Sequence, residues 1–325
     1  MSKEFNQSKV CKVHKVYKVR MTLRTFDFMD FRLIFFMLVH IKEIIMRAQR
    51  GGYAIGAFNT QDLEITLAIV QAAVAQRSPV IIQVSESAIK YASLKAITHI
   101  VQTIAKNQAD GIPVALHLDH GKSFLSVSEC VKAGFSSIHI DGSDLPFDEN
   151  INLTKESVAY AHKRNVWAQG ELGTILGKEG LIKIEKRELE IKDCFTDPAL
   201  AAKFAQATKV DTFAMSIGNM HGMFVGLEQL DLARLKKIHA KVKLPLVLHG
   251  ASGVEHGEIK KAIKLGVHIV NIDTEMRQAW ATALRRTLQA DKKEIDLRKI
   301  LAPATAAVQA VVEEKMKVFG SSGKV

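Results

Sequence analysis

The sequence predicts a closed (β/α)8 TIM barrel with an additional C-terminal helix and an N-terminal extension. From Gly51 onward, a short apolar run, a polar turn and an amphipathic stretch recur in that order. The apolar runs are rich in Val and Ile and each is followed by helical spacing, which implies parallel strands covered on both faces. Eight such units fall within about 230 residues, the content of one barrel. An open, doubly wound sheet is the alternative, but no G-x-G-x-x-G follows the first run.

The bounds agree with that class. A length of 325 residues suits a single α/β barrel, and 47% hydrophobic with 24% charged residues describes a globular chain with a large core. The formal net charge is +11. Part of it is local, because Lys3, Lys9, Lys12, Lys15, Lys18, Arg20, Arg24 and Arg32 face only Glu4, Asp27 and Asp30 within residues 1–36. The body carries no basic patch interleaved with aromatics, so nucleic acid is not an expected partner, whereas small anions are. Cys11, Cys130 and Cys194 are far apart and form no C-x-x-C, which suggests free thiols in a reducing, cytoplasmic compartment.

Residues 1–36 lack clear periodicity and are read as a basic extension outside the domain, with the catalytic domain spanning 37–325. The apolar run Leu33–Ile41 is too short to span a bilayer and no small-residue cleavage site follows, so no membrane partner is expected. An amphipathic helix then begins, with Ile41, Ile44, Ile45 and Ala48 on one face. The predicted strands are 54–59, 79–85, 113–120, 136–143, 166–173, 212–218, 245–251 and 268–274. Pro79, Pro113 and Pro245 stand at first positions, where a strand tolerates proline. Leu63, Leu67, Val70 and Val74 make one helical stripe, and Ile97, Ile100, Val101 and Ile104 another. Asp197-Pro198 pairs an N-cap with proline at the first helical position. A last helix, striped by Val308, Val311, Val312, Met316 and Phe319, would pack outside the barrel or on a partner subunit.

Catalytic groups of such barrels come from the C-terminal ends of different strands. Here those ends read Phe58-Asn59, Ser85-Glu86-Ser87, Asp119-His120, Asp141-Gly142-Ser143-Asp144, Glu171-Leu172-Gly173, Gly218 through His221-Gly222, His249-Gly250-Ala251-Ser252-Gly253 and Asn271-Ile272-Asp273-Thr274. In the third strand His117 and Asp119 share a face, and a carboxylate beside an imidazole there is costly unless paired or bound to metal. For that strand alone, a buried hydrogen-bonded pair is the alternative. His120, His221 and His249 all fall at one end of the barrel, and three neutral imidazoles with an open position are a catalytic zinc arrangement. Asp141 and Glu171 could orient those imidazoles. Glycines around His221-Gly222 and His249 to Gly253, with Asn271–Thr274, suit a phosphate at the last strands. The segment Thr174–Cys194 is long for a βα loop and contains Gly177-Lys178-Glu179-Gly180, the composition of a mobile lid carrying an acid or base.

From about Met37 onward, these motifs resemble the class II, zinc-dependent fructose-bisphosphate aldolases and their tagatose-bisphosphate relatives. The stretches that carry the resemblance are G-G-Y-A-I-G-A-F-N at 51–59, H-L-D-H at 117–120, D-G-S-D-L-P-F-D-E-N at 141–150, G-E-L-G-T at 170–174, G-N-M-H-G-M at 218–223, L-P-L-V-L-H-G-A-S-G at 244–253 and V-N-I-D-T-E at 270–275. The resemblance implies a zinc ion on His120, His221 and His249 that polarises the C2 carbonyl of dihydroxyacetone phosphate. It implies that Asp119 moves the C4 hydroxyl proton, that Glu179 moves the proton on C3, and that Asn271 holds the enediolate. Asp141 and Glu171 match positions that support the metal or bind it in an alternative place. Gly222, Gly250, Ser252, Asp273 and Thr274 would hold the phosphate, with Na⁺ or K⁺ nearby, and Asn59, Ser85 and Arg277 complete the implied substrate contacts.

The implied substrates are a ketohexose bisphosphate and triose phosphates in glycolysis or gluconeogenesis, and the implied assembly is a homodimer or homotetramer. Asp273 and Arg277 resemble the fructose-type pattern, with tagatose 1,6-bisphosphate as the alternative substrate. A barrel that binds metal or sugar phosphate without turnover is the reading from another class. The sequence departs from the family's lid, with Leu176-Gly177 in place of a glycine pair and Glu179-Gly180 in place of Glu-Asp. Val225 replaces a lysine common after the H-G motif, which removes one phosphate contact.

Overall fold

The computed structural model describes residues 38–175, 177, 194–222 and 230–325. The extension 1–36, together with Leu176, Glu179, Gly180 and Val225, lies outside the described residues. Eight strands follow one another around a closed barrel in chain order, all parallel: β1 (Ile55–Asn59), β2 (Val80–Ser85), β3 (Val114–Gly121), β4 (Ser137–Ile140), β5 (Trp167–Leu172), β6 (Thr212–Met215), β7 (Leu246–Leu248) and β8 (Val267–Ile272).

Helices alternate with them: α1 (Ile41–Gly51), α2 (Leu63–Gln76), α3 (Glu86–Ala92), α4 (Leu94–Gln108), α5 (Phe124–Lys132), α6 (Phe147–His162), α7 (Pro198–Thr208), α8 (Leu232–Val242), α9 (His256–Lys264), α10 (Thr274–Ala290) and α11 (Leu297–Phe319). Local chemistry starts several of them. Asp62, Asp197 and Asp231 each accept backbone N–H groups of the first turn, at 2.7–2.8 Å. The predicted strand 6 and strand 7 ends run further than the pairing does. Beyond Met215 and Leu248 the chain leaves the sheet through Gly218 and Gly250, both at positive φ, and builds loops instead.

Two cores follow from strand alternation. Outward residues such as Phe58, Ile82, Leu116, Ile138, Phe213 and Val270 pack under the helices. Inward residues at the N-terminal end, Ile55, Ala57, Ile81, Ala115, Ala214, Val247 and Ile269, meet Ile41, Ile44, Ile45 and Ala48 of α1. The α1 helix therefore closes the lower mouth with its apolar stripe. Higher up, the inward residues turn polar: Asn59, Gln83, His117, Asp119, Ser137, His139, Gln169, Glu171 and Asn271 are all buried. Charge and amide groups withdrawn from water cost free energy unless they serve each other or a ligand, so the upper interior is where function is to be sought. The last helix, α11, packs outside the barrel on α2 and α10. No helix among the described residues is long and apolar enough to cross a membrane.

Candidate metal and substrate site

The third strand breaks its own alternation at the site. Its register against β4 shifts between Leu118 and Gly121, and His120 sits at φ 46°, a left-handed conformation that side chains with a Cβ seldom adopt. The bulge lets consecutive residues, Asp119 and His120, both address the barrel mouth. His117, two residues back, lies deeper, with Nδ1 2.9 Å from Ser137 Oγ.

The imidazole of His120 is fixed from behind. Its Nδ1–H donates to Asp141 Oδ2 at 2.7 Å, which turns Nε2 inward. Asp141 also accepts from Lys122 Nζ at 2.7 Å, and from the Ser143 amide and hydroxyl at 3.0 and 2.6 Å. Burial opposes ionisation of Asp141, but the His120 hydrogen bond and charge, with Lys122, hold its carboxyl well below the usual range. Burial likewise opposes a charge on His120, yet Asp119, Asp141 and Glu171 overcome it and raise the imidazole to about 10. With His120 charged, burial and that neighbouring charge push His221 down to about 4, and burial pushes His249 well below its ordinary value.

His120 Nε2 faces His249 Nδ1 across 3.0 Å. Two imidazole nitrogens so close can share at most one proton, and a cation accepting both lone pairs suits the place better. The ring of His221 lies 4.9 Å from that of His120 and 6.2 Å from that of His249, centroid to centroid. The tightest ligand groupings among the described residues bring in His139, which sequence reasoning missed. Asp119, His120, His139 and His249 form one, and His120, His139, Asp141 and Glu171 the other, each with ligand atoms within 4.8 Å of one another. The sequence did hold a signal for it: Ser137, His139 and Asp141 alternate with Ile138 and Ile140 and so share one face of the strand line.

Three buried atoms around this point make no hydrogen bond, Asp119 Oδ1, His139 Nε2 and Glu171 Oε2, the last two lying 3.5 Å apart. An orphaned buried polar atom costs about 1–3 kcal/mol. Imidazoles and carboxylates with free lone pairs are the donor set of a divalent transition metal, so these residues fit such an ion. Glu171 reads the same way. Burial, then the Asp141 charge, raises its carboxyl well above the usual range, which a cation would relieve.

Asp119 presents one oxygen to this place and anchors the other. Oδ2 accepts from Asn59 Nδ2 at 2.8 Å, and Asn59 Oδ1 in turn accepts from Gln83 Nε2. The free Oδ1 lies 3.8 Å from His120 Nε2 and 4.0 Å from His249 Nδ1. On the far side Asn271 Nδ2 lies 3.1 Å from His249 Nδ1, and the Gln169 amide lies 2.7 Å from His249 Nε2.

Two clefts open from the histidines. One is lined by Asn59, His221, Gly222, Gly250, Ser252, Asn271, Asp273 and Thr274. Its floor is the start of α10, whose cap residue Asp273 makes no side-chain capping bond, leaving first-turn N–H groups for an anion. Gly250 cannot be replaced there: at φ 57° a Cβ would come within 2.2 Å of Met220 O. Arg277 donates to Asp273 Oδ1 at 2.8 Å and so stands behind the cleft. The other cleft, of about 470 Å³, is lined by Ser85, Ser87, His120, Lys122, Asp141, Ser143, Glu171 and Gly177, among others. Ser85 lines this second cleft and not the glycine-rich one. Gly177 forms a parallel bridge with His221, which places the start of the predicted lid beside a histidine.

The deep imidazole of His117 carries a pH prediction. Burial lowers it from 6.5 to about 4, so the folded chain binds fewer protons than the unfolded chain between those values. Its contribution is present above pH 6.5 and is lost as pH falls toward 4, roughly 3 kcal/mol in all. Urea midpoints of the metal-free chain should fall across that window, and fall less in His117→Gln.

Known proteins resemble this chain over the whole barrel. The family model described as class-II fructose-bisphosphate aldolase matches residues 39–324. A fructose-bisphosphate aldolase of Geobacillus stearothermophilus is 39% identical over 288 residues, covering 88% of this chain and 98% of the relative. The crystal structure of the YdjI aldolase from Escherichia coli K12 superposes with a TM-score of 0.74 at 32% identity, covering 88% of this chain and 99% of the other. That of a putative fructose-1,6-bisphosphate aldolase from Coccidioides immitis gives 0.78 at 29%, covering 88% and 97%. With the barrel, the imidazole pair and the glycine-rich cleft in the same chain, these matches settle its kinship: it is an aldolase, a carbon–carbon lyase, and belongs to the class-II fructose-bisphosphate aldolase family.

Proposed function

We propose that this chain cleaves fructose 1,6-bisphosphate reversibly into dihydroxyacetone phosphate and glyceraldehyde 3-phosphate, with Zn²⁺ as its metal. The observation that carries the proposal is the 3.0 Å approach of His120 Nε2 and His249 Nδ1, with His221 beside them and the free oxygen of Asp119 within 4.0 Å. His120, His221 and His249 would hold the ion, with Asp141 orienting His120. Glu171 and His139 border the deeper side. Zinc bound there supplies Lewis-acid polarisation of the ketose carbonyl.

The chain's own groups do the rest. Asp119 Oδ1, anchored through Oδ2 by Asn59, takes the proton of the C4 hydroxyl during cleavage and returns it during condensation. Asn271, its Nδ2 3.1 Å from His249 Nδ1, holds the enediolate. Gly222, Gly250, Ser252 and Thr274 receive a phosphate at the α10 N-terminus, with Asp273 and Arg277 behind it and Na⁺ or K⁺ as counterion. Ser85 contacts the part of the substrate in the larger cleft. Glu179 exchanges the proton on C3.

In this reading the catalytic domain is 37–325, residues 1–36 stand outside it, and the enzyme works in cytoplasmic glycolysis as a homodimer or homotetramer. The test is release of triose phosphate with metal removed and restored. Metal-free protein should lose at least about 10³-fold in kcat and recover it with zinc. Activity indifferent to a chelator would overturn the mechanism. Tagatose 1,6-bisphosphate assayed alongside decides the sugar, and a higher kcat/KM for it would overturn the fructose assignment.

A further inference from the structure

Lys315 belongs to α11, outside the barrel, yet its side chain is only 4% exposed. A buried ammonium needs a partner, and Lys315 Nζ finds Glu275 Oε2 at 2.6 Å. Glu275 is the second residue of α10, and its other oxygen, Oε1, accepts the backbone N–H of Gly253 at 2.6 Å. Its own N–H donates to Ser252 Oγ at 3.4 Å. A continuous link thus runs from the C-terminal helix to the loop Gly250–Gly253. Neither Lys315 nor Glu275 is among the residues lining the glycine-rich cleft.

Two consequences follow. Gly253 stands at φ 84°, and the Glu275 carboxylate claims its N–H, which ties the end of the loop to the first turn of α10. The Lys315 ammonium, 2.6 Å from Oε2, in turn holds that carboxylate in the position from which Oε1 reaches Gly253. A buried ion pair adds little stability over an apolar pair of the same size, so fixing geometry is the better account of its presence.

We propose that Lys315 is a positioning residue for the phosphate site, acting through Glu275 on the Gly250–Gly253 loop. The proposal rests on the reading of that cleft as a phosphate site. The test compares zinc-loaded wild-type chain with Lys315→Met, Lys315→Arg and Glu275→Gln. Inorganic phosphate serves as competitive inhibitor, and steady-state constants are taken in the condensation direction.

In Lys315→Met, the inhibition constant for phosphate and the KM for dihydroxyacetone phosphate should rise together by about tenfold, with kcat changed less than about threefold. Arginine at 315 should restore both to within about threefold, and Glu275→Gln should shift both in the same direction as Lys315→Met. A folded Lys315→Met or Glu275→Gln protein with unchanged phosphate inhibition and KM, altered only in melting temperature, would show a purely structural pair and overturn the inference. Should Lys315→Met not fold, Glu275→Gln decides alone. If phosphate fails to compete even in the wild type, the cleft reading falls and the inference with it.

Discussion

His249→Ala should lose its metal and at least about 10³-fold in kcat. His249 is 1% exposed and stands where several interactions meet. His120 faces its Nδ1, Asn271 lies beside the same nitrogen, the Gln169 amide contacts Nε2, and Asn219 donates to its backbone carbonyl at 3.1 Å. Alanine keeps the carbonyl and so keeps the loop. It removes the lone pair opposite His120 and leaves two amides without their partner. Metal analysis of the purified variant beside its turnover checks the claim, because loss of activity with full zinc content would place the role of His249 elsewhere.

Asp119→Asn tests the proton rather than the metal. The asparagine oxygen can still accept from Asn59, so the side chain stays in place, but the group facing the histidines can no longer take a proton. Zinc content should be retained while kcat falls by about 10²–10⁴-fold, the usual contribution of a positioned acid or base. KM should move less than kcat, since Gly222, Gly250, Ser252 and Thr274 of the same cleft are unchanged. A variant that kept its kcat would remove Asp119 from the reaction.

Much of this was legible from the chain because strand ends are local. A run such as Pro113–Leu118 announces a buried strand, and the polar groups that stop it announce a site. The strand ends set three histidines at one mouth, and their ring centroids lie 4.6–6.2 Å apart. What stayed hidden was the middle layer of the barrel. His139, Gln83 and Gln169 sit one step below the strand ends, inside runs whose apolar neighbours face the helices. Alternation puts them indoors, but whether they meet one another depends on the stagger between strands, which no single strand encodes. The Lys315–Glu275 link was equally invisible, since it joins residues forty positions apart through the packing of α11 on α10.

The left-handed backbone at His120 has a wider consequence. Glycine or asparagine would suit that conformation better, and a histidine there costs about 1–2 kcal/mol. Selection for a more stable fold and selection for a working lyase therefore pull this position in opposite directions. A search for thermostable variants guided by backbone comfort alone would arrive at residue 120 early, and each improvement it made there would remove the imidazole that faces His249.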